Sequence, residues 1–387
     1  MNTLILISAL IVLTVTCVAG ADLFFGIRSM TRLSEIEPLS AASQPLISII
    51  VPARNEERNI KQAIFSQLQQ DYANLEIIAV NDRSTDTTGE ILEELRCRHD
   101  NLKVLHVDDL PEGWMGKAHA MQRGAGIAKG TYLLFTDGDI LMEKSTLARA
   151  AHHMIAENLD HMTLIFRNIS PGWLLNSLIL ESGAGLLQLF RPWLAKKPAS
   201  RCFIGIGAFN MVKRDTYFAV DGHEHIKAHP IDDIMLGKII KRDGYNQDCL
   251  LGTDLVAVRW YENLNEMVDG LMKNVLAIIN YRFALLIPVL SGMAFFYILP
   301  LWGVLLSTGY AKLIWAVVVM IRIGGYYFGT RLLGITPWCA LGTLLTPYIS
   351  FYIVLRAAWL NYRNHGIYWR GTYCSLDTLR NNEPILP

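Results

Sequence analysis

The sequence predicts an α/β domain built on a mostly parallel sheet and set between apolar segments long enough to cross a bilayer. Three observations carry this prediction. Between residues 45 and 274, short apolar runs rich in β-branched residues alternate with helical stretches, the pattern of βαβ units. Both flanks of that region hold long apolar runs that reach the roughly 20 residues a spanning helix needs. Polar clusters stand directly after the apolar runs, and ligands of such sheets bind outside the carboxyl ends of the strands.

In chain order, residues 1–27 come first, apolar from residue 3 to 25 except for Asp22. A cleaved signal peptide competes with a membrane anchor here, because Ala19-Gly20-Ala21 resembles a small-residue cleavage site. No Lys or Arg precedes Arg28, however, so the basic n-region is missing. The expectation is an uncleaved anchor whose end, followed by Arg28 and Arg32, faces the cytoplasm. Residues 46–51 form a continuous apolar run, as expected of a buried parallel strand. A helix is expected over 56–70, a strand over 75–80, a helix over 88–98, a strand over 103–107, a helix containing 119–128 and a strand over 132–136. Residues 171–194 are apolar on several faces but carry Glu181, Gln188 and Arg191. They read as an interfacial helix, or the lining of an acceptor groove, rather than a span.

Residues 280–360 hold three further apolar runs, 283–310, 313–329 and 335–360, the second interrupted by Arg322 and the third by Pro337, Pro347 and Arg356. All three read as membrane segments. The tail, 361–387, carries Arg363, Arg370 and Arg380, which favours a cytoplasmic end. Three spans from a cytoplasmic domain would place it outside, so either the count is even or the tail breaks the charge rule.

The whole chain is 52% hydrophobic with a mean hydropathy of +0.27, which is high for a purely soluble protein. Its 35 basic and 35 acidic residues balance, so no global field favours nucleic acid. The 6 cysteines are scattered without a C-x-x-C pair, which fits a reducing cytosolic face better than a disulfide framework.

The first candidate for chemistry is Thr136-Asp137-Gly138-Asp139 after an apolar strand. Two carboxylates one residue apart at a strand end can share a hard cation, Mg²⁺ or Mn²⁺, with a diphosphate. Taken alone, the triplet is equally an ordinary turn. Pro52-Ala53-Arg54-Asn55-Glu56 ends the first strand and Asn81-Asp82-Arg83-Ser84-Thr85-Asp86 the second. Each can merely cap the following helix, yet three polar strand ends in successive βα units converge on one crevice. Asp82 there can accept from a base N–H or a ribose hydroxyl. His223, His225 and His229 lack the H-E-x-x-H spacing that sets two imidazoles on one helical face. A flexible acceptor loop is expected over 221–225, and His152-His153 are expected to be solvated.

These clusters, in this order, resemble glycosyltransferase family 2 with the GT-A nucleotide-binding fold, over about residues 46–274. Gly205-Ile206-Gly207, Asp221-Gly222, Asp232-Asp233 and Gly244-Tyr245 extend the resemblance. It implies that Pro52, Ala53, Arg54, Asn55, Glu56 and Asp82 hold the nucleotide and that Asp137 and Asp139 bind metal and diphosphate. It also makes Asp233 the catalytic base, with Asp232 orienting it or binding the acceptor. The competing reading of Asp232-Asp233 is helix capping and favourable macrodipole interaction. Pro111-x-Gly113-Trp114-Met115-Gly116-Lys117, with Tyr368-Trp369-Arg370-Gly371, is similar to hopene-associated and carotenoid-acid glycosyltransferases of bacterial membranes. Ceramide glucosyltransferases resemble the layout more distantly.

By that resemblance Lys117 faces the donor diphosphate, a task suited to a flexible point charge; otherwise it is a solvated lysine at a helix start. Arg259-Trp260 follows a short strand, where Arg259 can contact the diphosphate and Trp260 stack on the acceptor. A snorkelling interfacial pair is the alternative. Val256 stands where processive relatives carry Gln or Arg, which argues against polymer extrusion. The resemblance implies an inverting transfer from a nucleotide sugar, UDP-linked by expectation, to a lipophilic membrane acceptor, at the cytoplasmic face of the inner membrane. A glycan synthase and an inactive nucleotide-binding scaffold are the rival readings.

Overall fold

The computed structural model describes residues 2–369 and 371–385. Helix α1 (Asn2–Arg28) is unbroken and leads into the α/β domain. Its first half runs β1 (Ile47–Ala53), α2 (Ile60–Leu68), β2 (Leu75–Asp82), α3 (Thr88–Arg96), β3 (Leu102–Val107), α4 (Gly116–Ile127) and β4 (Tyr132–Phe135). Every residue of β1 is buried, because helices cover both faces of a parallel sheet and leave no polar side for alternation. Helix α2 starts later than expected. The backbone N–H groups of Asn55, Glu56 and Glu57 donate to Ser84, Thr88 and Asp86 of the next loop, so they do not enter a first helical turn.

The second half contains β5 (Leu141–Met142), α5 (Thr146–Ala156), β6 (His161–Ile165), β7 (Arg167–Asn168), α6 (Trp173–Phe190), β8 (Asn210–Lys213), α7 (Arg214–Ala219), α8 (Gly222–His225), α9 (Asp232–Arg242), β9 (Gln247–Leu251) and β10 (Val256–Val258). The main sheet has seven strands in the order β3-β2-β1-β4-β8-β6-β9. It is parallel except at β8, which runs antiparallel to both neighbours. A small sheet, β5-β10-β7, lies beside it. His153 on α5 is buried rather than solvated, its Nε2 3.0 Å from Asp248 Oδ2 of β9, because that face of α5 packs against the sheet.

After α10 (Leu264–Ala277) come α11 (Leu286–Met293), α12 (Leu299–Leu306), α13 (Gly309–Leu333) and α14 (Thr346–Arg363). Among the described residues, four helical segments are long and apolar enough to cross a membrane: Thr3–Arg28, Trp173–Leu194, Phe283–Leu306 and Gly309–Leu333. The second follows β7 and is followed by the buried Trp193 and Ala195, which pack into the core of the α/β domain. The third apolar run of the sequence is not a straight span. A 3₁₀ segment, Pro337–Leu344, meets α14 at 62°, with a proline at the start of each piece where the missing N–H and fixed φ are tolerated. Helix α14 turns back onto α10 and α6, where Ile353 packs with Met267, Leu175 and Ile179.

The basic tail is a folded unit comprising the hairpin β11 (Gly366–Trp369) and β12 (Thr372–Ser375) and helix α15 (Leu376–Asn381). Ile367, Cys374, Leu376, Leu379 and Ile385 join the core of the α/β domain. Glu383 pairs with Lys238 and Arg242 of α9, both at 2.8 Å. Tail and domain are therefore packed together rather than set on opposite sides, as three spans would have required.

Candidate functional site

Strands β1 and β2 are parallel neighbours in register, Ala53 opposite Asn81, so the loops that follow them emerge side by side. Asn55 (φ 55°) and Arg83 (φ 53°) make the matching left-handed turns. The loops are stitched together: Asn55 Oδ1 accepts from Thr85 N at 2.8 Å and Glu57 Oε2 from Thr87 Oγ1 at 2.8 Å. Asp82 is buried, gripped by Arg83 through two hydrogen bonds of 2.7 and 3.0 Å, with Arg54 Nη1 3.8 Å away. A cavity of about 780 Å³ opens above this shelf, lined by Pro52, Ala53, Arg54, Glu56, Asp82, Lys117, Asp137, Asp139, Asp232, Asp233, Arg259 and Trp260. Asn55 alone among the sequence candidates does not line it.

At the centre, β4 delivers Asp137 and α4 delivers Lys117, whose Nζ lies 2.7 Å from Asp137 Oδ1 and 3.8 Å from Asp232 Oδ2. Gly207 marks the meeting point. A Cβ there would fall 2.9 Å from Asp137 Oδ2, 3.2 Å from Lys117 Nζ and 3.3 Å from Asp233 Oδ2, so any side chain would press on all three charged groups. Its N–H donates to Asp233 Oδ2 at 2.8 Å, and Ile234 N donates to Oδ1 at 2.9 Å. Beneath Asp233, Asn210 donates to its backbone carbonyl, His161 bonds Asn210, and Gln247 donates to His161 Nδ1 at 2.8 Å. Burial pushes His161 down to about 4, which keeps this chain neutral and fully hydrogen-bonded.

Desolvation, reinforced by the charge of Asp232 and opposed by Lys117, raises the Asp233 carboxyl to about 6. Burial on its own would lower the Lys117 ammonium, but Asp137, Asp232 and Asp233 hold it above its ordinary value. The site therefore joins a carboxylate poised near neutrality to a permanently charged lysine.

Asp137 and Asp139 are the pair expected to hold a divalent ion. Both carboxylates line the cavity at the strand end and offer hard oxygen ligands. Among the described residues no three His, Cys, Asp or Glu side chains form a ready cage. The remaining positions would fall to water and phosphate oxygens, the usual situation of Mg²⁺ bound with a nucleotide.

Arg259 faces Glu262 at 3.3 Å, and Trp260 stacks on Tyr261, with rings 5.7 Å apart and 20° between planes. Trp260 also lines a second cavity of about 710 Å³, which Asp137, Asp139 and Asp233 border at one end. Its walls are apolar: Leu23 and Ile27 of α1, Leu186 and Phe190 of α6, Phe328 and Leu332 of α13. Glu181 and Arg322 also line it, each with partners. Ser350 Oγ donates to Glu181 at 2.7 Å, and Arg322 donates to the carbonyls of Phe296 and Tyr297.

The walls contributed by α1 and α13 were not foreseen from sequence. Nor was the burial of His223, which stands in a short helix rather than a flexible loop. The left-handed pair Asp221-Gly222 closes that turn and was the available signal.

Residues 48–217 match the family model "Glycosyl transferase family 2". A 4,4'-diaponeurosporenoate glycosyltransferase of Staphylococcus haemolyticus is 25% identical over 246 residues, 59% of this chain and 60% of that protein. The match thus spans about three fifths of that relative's length. EpsJ, an uncharacterized glycosyltransferase of Bacillus subtilis, is 36% identical over 116 residues, 30% of this chain and 32% of its own. Among solved structures, the mannosyltransferase PcManGT of Pyrobaculum calidifontis, in complex with GDP-Man and Mn²⁺, superposes with a TM-score of 0.54. It covers 93% of this chain and 99% of its own at 17% identity, a likeness of fold. The fold is GT-A-like, with additional apolar helices at both ends.

Proposed function

We propose, from the premise that this chain is a glycosyltransferase with a family 2 domain over residues 48–217, that it moves a sugar from a nucleotide-sugar donor to a lipophilic acceptor held in the membrane. The observation that carries this reading is the meeting of two unlike cavities at Asp137, Asp139 and Asp233. The first carries charged groups on its strand-end loops, with helices lining its far side; the second is lined almost wholly by apolar side chains, from helices of span length. A donor with a charged diphosphate suits the first. An acceptor whose bulk is hydrocarbon suits the second, since burying apolar surface there removes it from water.

In this reading Asp82 and Arg54 face the nucleoside, and Lys117 meets the diphosphate. Asp139 and Asp137 would hold a divalent cation, which acts as a Lewis acid on the leaving diphosphate. Asp233 accepts the proton of an acceptor hydroxyl, or orients an acceptor carboxylate. Asp232 lies behind it, and Trp260 borders both compartments. One base and one leaving group favour a single displacement with inversion at the anomeric carbon. Arg28 and Arg32 after α1, with the cationic tail on the same side, favour a catalytic face toward the cytoplasm.

The test uses the full chain in detergent with Mn²⁺ or Mg²⁺, a panel of UDP- and GDP-linked sugars, and total membrane lipid. The expected result is nucleoside diphosphate release that depends on lipid, together with a new glycolipid by mass spectrometry. Release into a soluble polymer would favour the glycan synthase, and UDP binding without any release would favour the scaffold.

A further inference from the structure

We propose that His223 is a positioning residue for the acidic pair at the start of α9: held by the Tyr217 hydroxyl, it turns an N–H toward Asp232 and fixes the carboxylate that flanks Asp233. This rests on the reading of Asp233 as the base.

The local chain is built to deliver this side chain. Helices α7 and α8 are joined through Asp221 (φ 59°) and Gly222 (φ 47°). A Cβ on Gly222 would fall 2.2 Å from Cζ of Tyr217, so glycine lets the turn close against that ring. The turn drives His223 inward until it is 1% exposed. Its ring packs edge-on against Phe135, with centroids 4.9 Å apart, and Phe135 is the last residue of β4 before the Asp137 loop. His223 is therefore wedged behind both acidic clusters. Nδ1 lies 2.8 Å from the Tyr217 hydroxyl, and Nε2 faces Asp232 Oδ2 at 3.9 Å.

Asp232 Oδ2 is buried and has no hydrogen-bond partner among the described residues. Its nearest cation is Lys117, at 3.8 Å and already paired with Asp137. Burial pushes the His223 imidazole down to about 4, so at neutral pH it carries one ring proton. Two acceptors compete for the Tyr217 hydroxyl proton, Gln122 Oε1 at 2.6 Å and His223 Nδ1 at 2.8 Å. The carboxylate decides between them. Only the tautomer protonated at Nε2 turns a donor toward Asp232, and the other would aim a lone pair at it. Without that donor, Asp232 is free to swing onto Lys117 and draw it from Asp137, which disorders the pair around the base without touching the nucleoside shelf.

The test compares His223→Phe, His223→Gln and Tyr217→Phe in the donor and lipid assay above, with Asp233→Asn alongside. His223→Phe should lower kcat about tenfold or more, a part of the roughly 10²–10⁴-fold that a general base supplies. Its donor KM should stay within about twofold. His223→Gln, whose amide nitrogen can replace Nε2 as donor, should recover most of the rate. Tyr217→Phe, which keeps the ring and loses the hydroxyl, should lower kcat in the same direction and less. A merely structural role would give equal losses in the Phe and Gln variants that track a drop in Tm. Equal losses, or an undiminished kcat in His223→Phe, would overturn the proposal. If His223→Phe does not fold, an undiminished kcat in Tyr217→Phe overturns it instead. Asp233→Asn at full rate, or a wild-type chain that turns over no donor, would overturn the parent reading itself.

Discussion

The two cavities that share Asp233 are built on opposite plans. The nucleotide shelf of the donor cavity is assembled from loops that are neighbours in the sheet, locked by hydrogen bonds such as Thr85 N to Asn55 Oδ1 and Arg83 to Asp82. The apolar cavity is assembled from helices more than a hundred residues apart, and its defining feature is space. Gly20, Gly183, Gly185 and Gly325 have nothing within 4 Å of where a Cβ would stand. In the first region function lies in placed polar atoms, and in the second in omitted side chains. Mutations should therefore act by removing groups in one and by adding them in the other.

The largest effect belongs to the junction. Asp233→Asn keeps both cavities intact, so UDP binding should persist while transfer falls about 10²–10⁴-fold, the usual worth of a general base. Calorimetry for UDP beside a turnover assay checks this, and an undiminished rate would remove Asp233 from its role. Asp139→Asn acts on the donor side. It removes one of two proposed metal ligands, and metal-dependent donor affinity should drop about 10–100-fold, the range seen even for outer-shell losses. Affinity without added metal should change little. A loss that is the same with and without Mn²⁺ would place Asp139 outside the metal's shell.

Gly183→Leu tests the apolar side by addition, since Gly183 lines the apolar cavity and not the donor cavity. The new side chain enters open space rather than a packed wall, so folding should survive and UDP affinity should hold. Transfer to long-chain lipid should fall about tenfold, comparable to the discrimination that one or two methylenes produce in an apolar pocket. A drop in UDP binding of similar size would show that the two compartments are not separable.

The contrast also explains what the sequence disclosed. Strand-end clusters were legible because a βα unit carries its ligand-facing residues at a fixed place in the local pattern. Asp82, Asp137, Asp139, Lys117, Asp232 and Asp233 all line one cavity as that pattern requires. The apolar cavity left no such trace, since the hydrophobic residues of α1 and α13 look alike whether they face lipid, each other or a ligand. His153 and His223 went unread for a related reason. Their partners, Asp248 and Tyr217, are not marked by any spacing. The bend at Pro337 and Pro347 was visible as two prolines, but its direction is set by packing of Ile353 against α10 and α6.

The smallest effect, and the most specific to the junction, is pH dependence. Asp233 must be a carboxylate to accept a proton, and burial with the Asp232 charge raises it to about 6. Lys117 is held charged well above this range, and His223 stays neutral down to about 4. Between pH 5 and 7 the acid limb of kcat therefore reports Asp233, with Lys117 charged throughout. The rate should halve near pH 6 and fall about tenfold per unit below it. Asp232→Asn removes one cause of the shift but neither the burial nor the charge of Asp137, so its limb should move to lower pH without reaching that of a free carboxylate. An unmoved limb would leave the shift to burial and Asp137. A limb that vanished would remove Asp233 as the group that sets the acid limb at the meeting point of the two cavities.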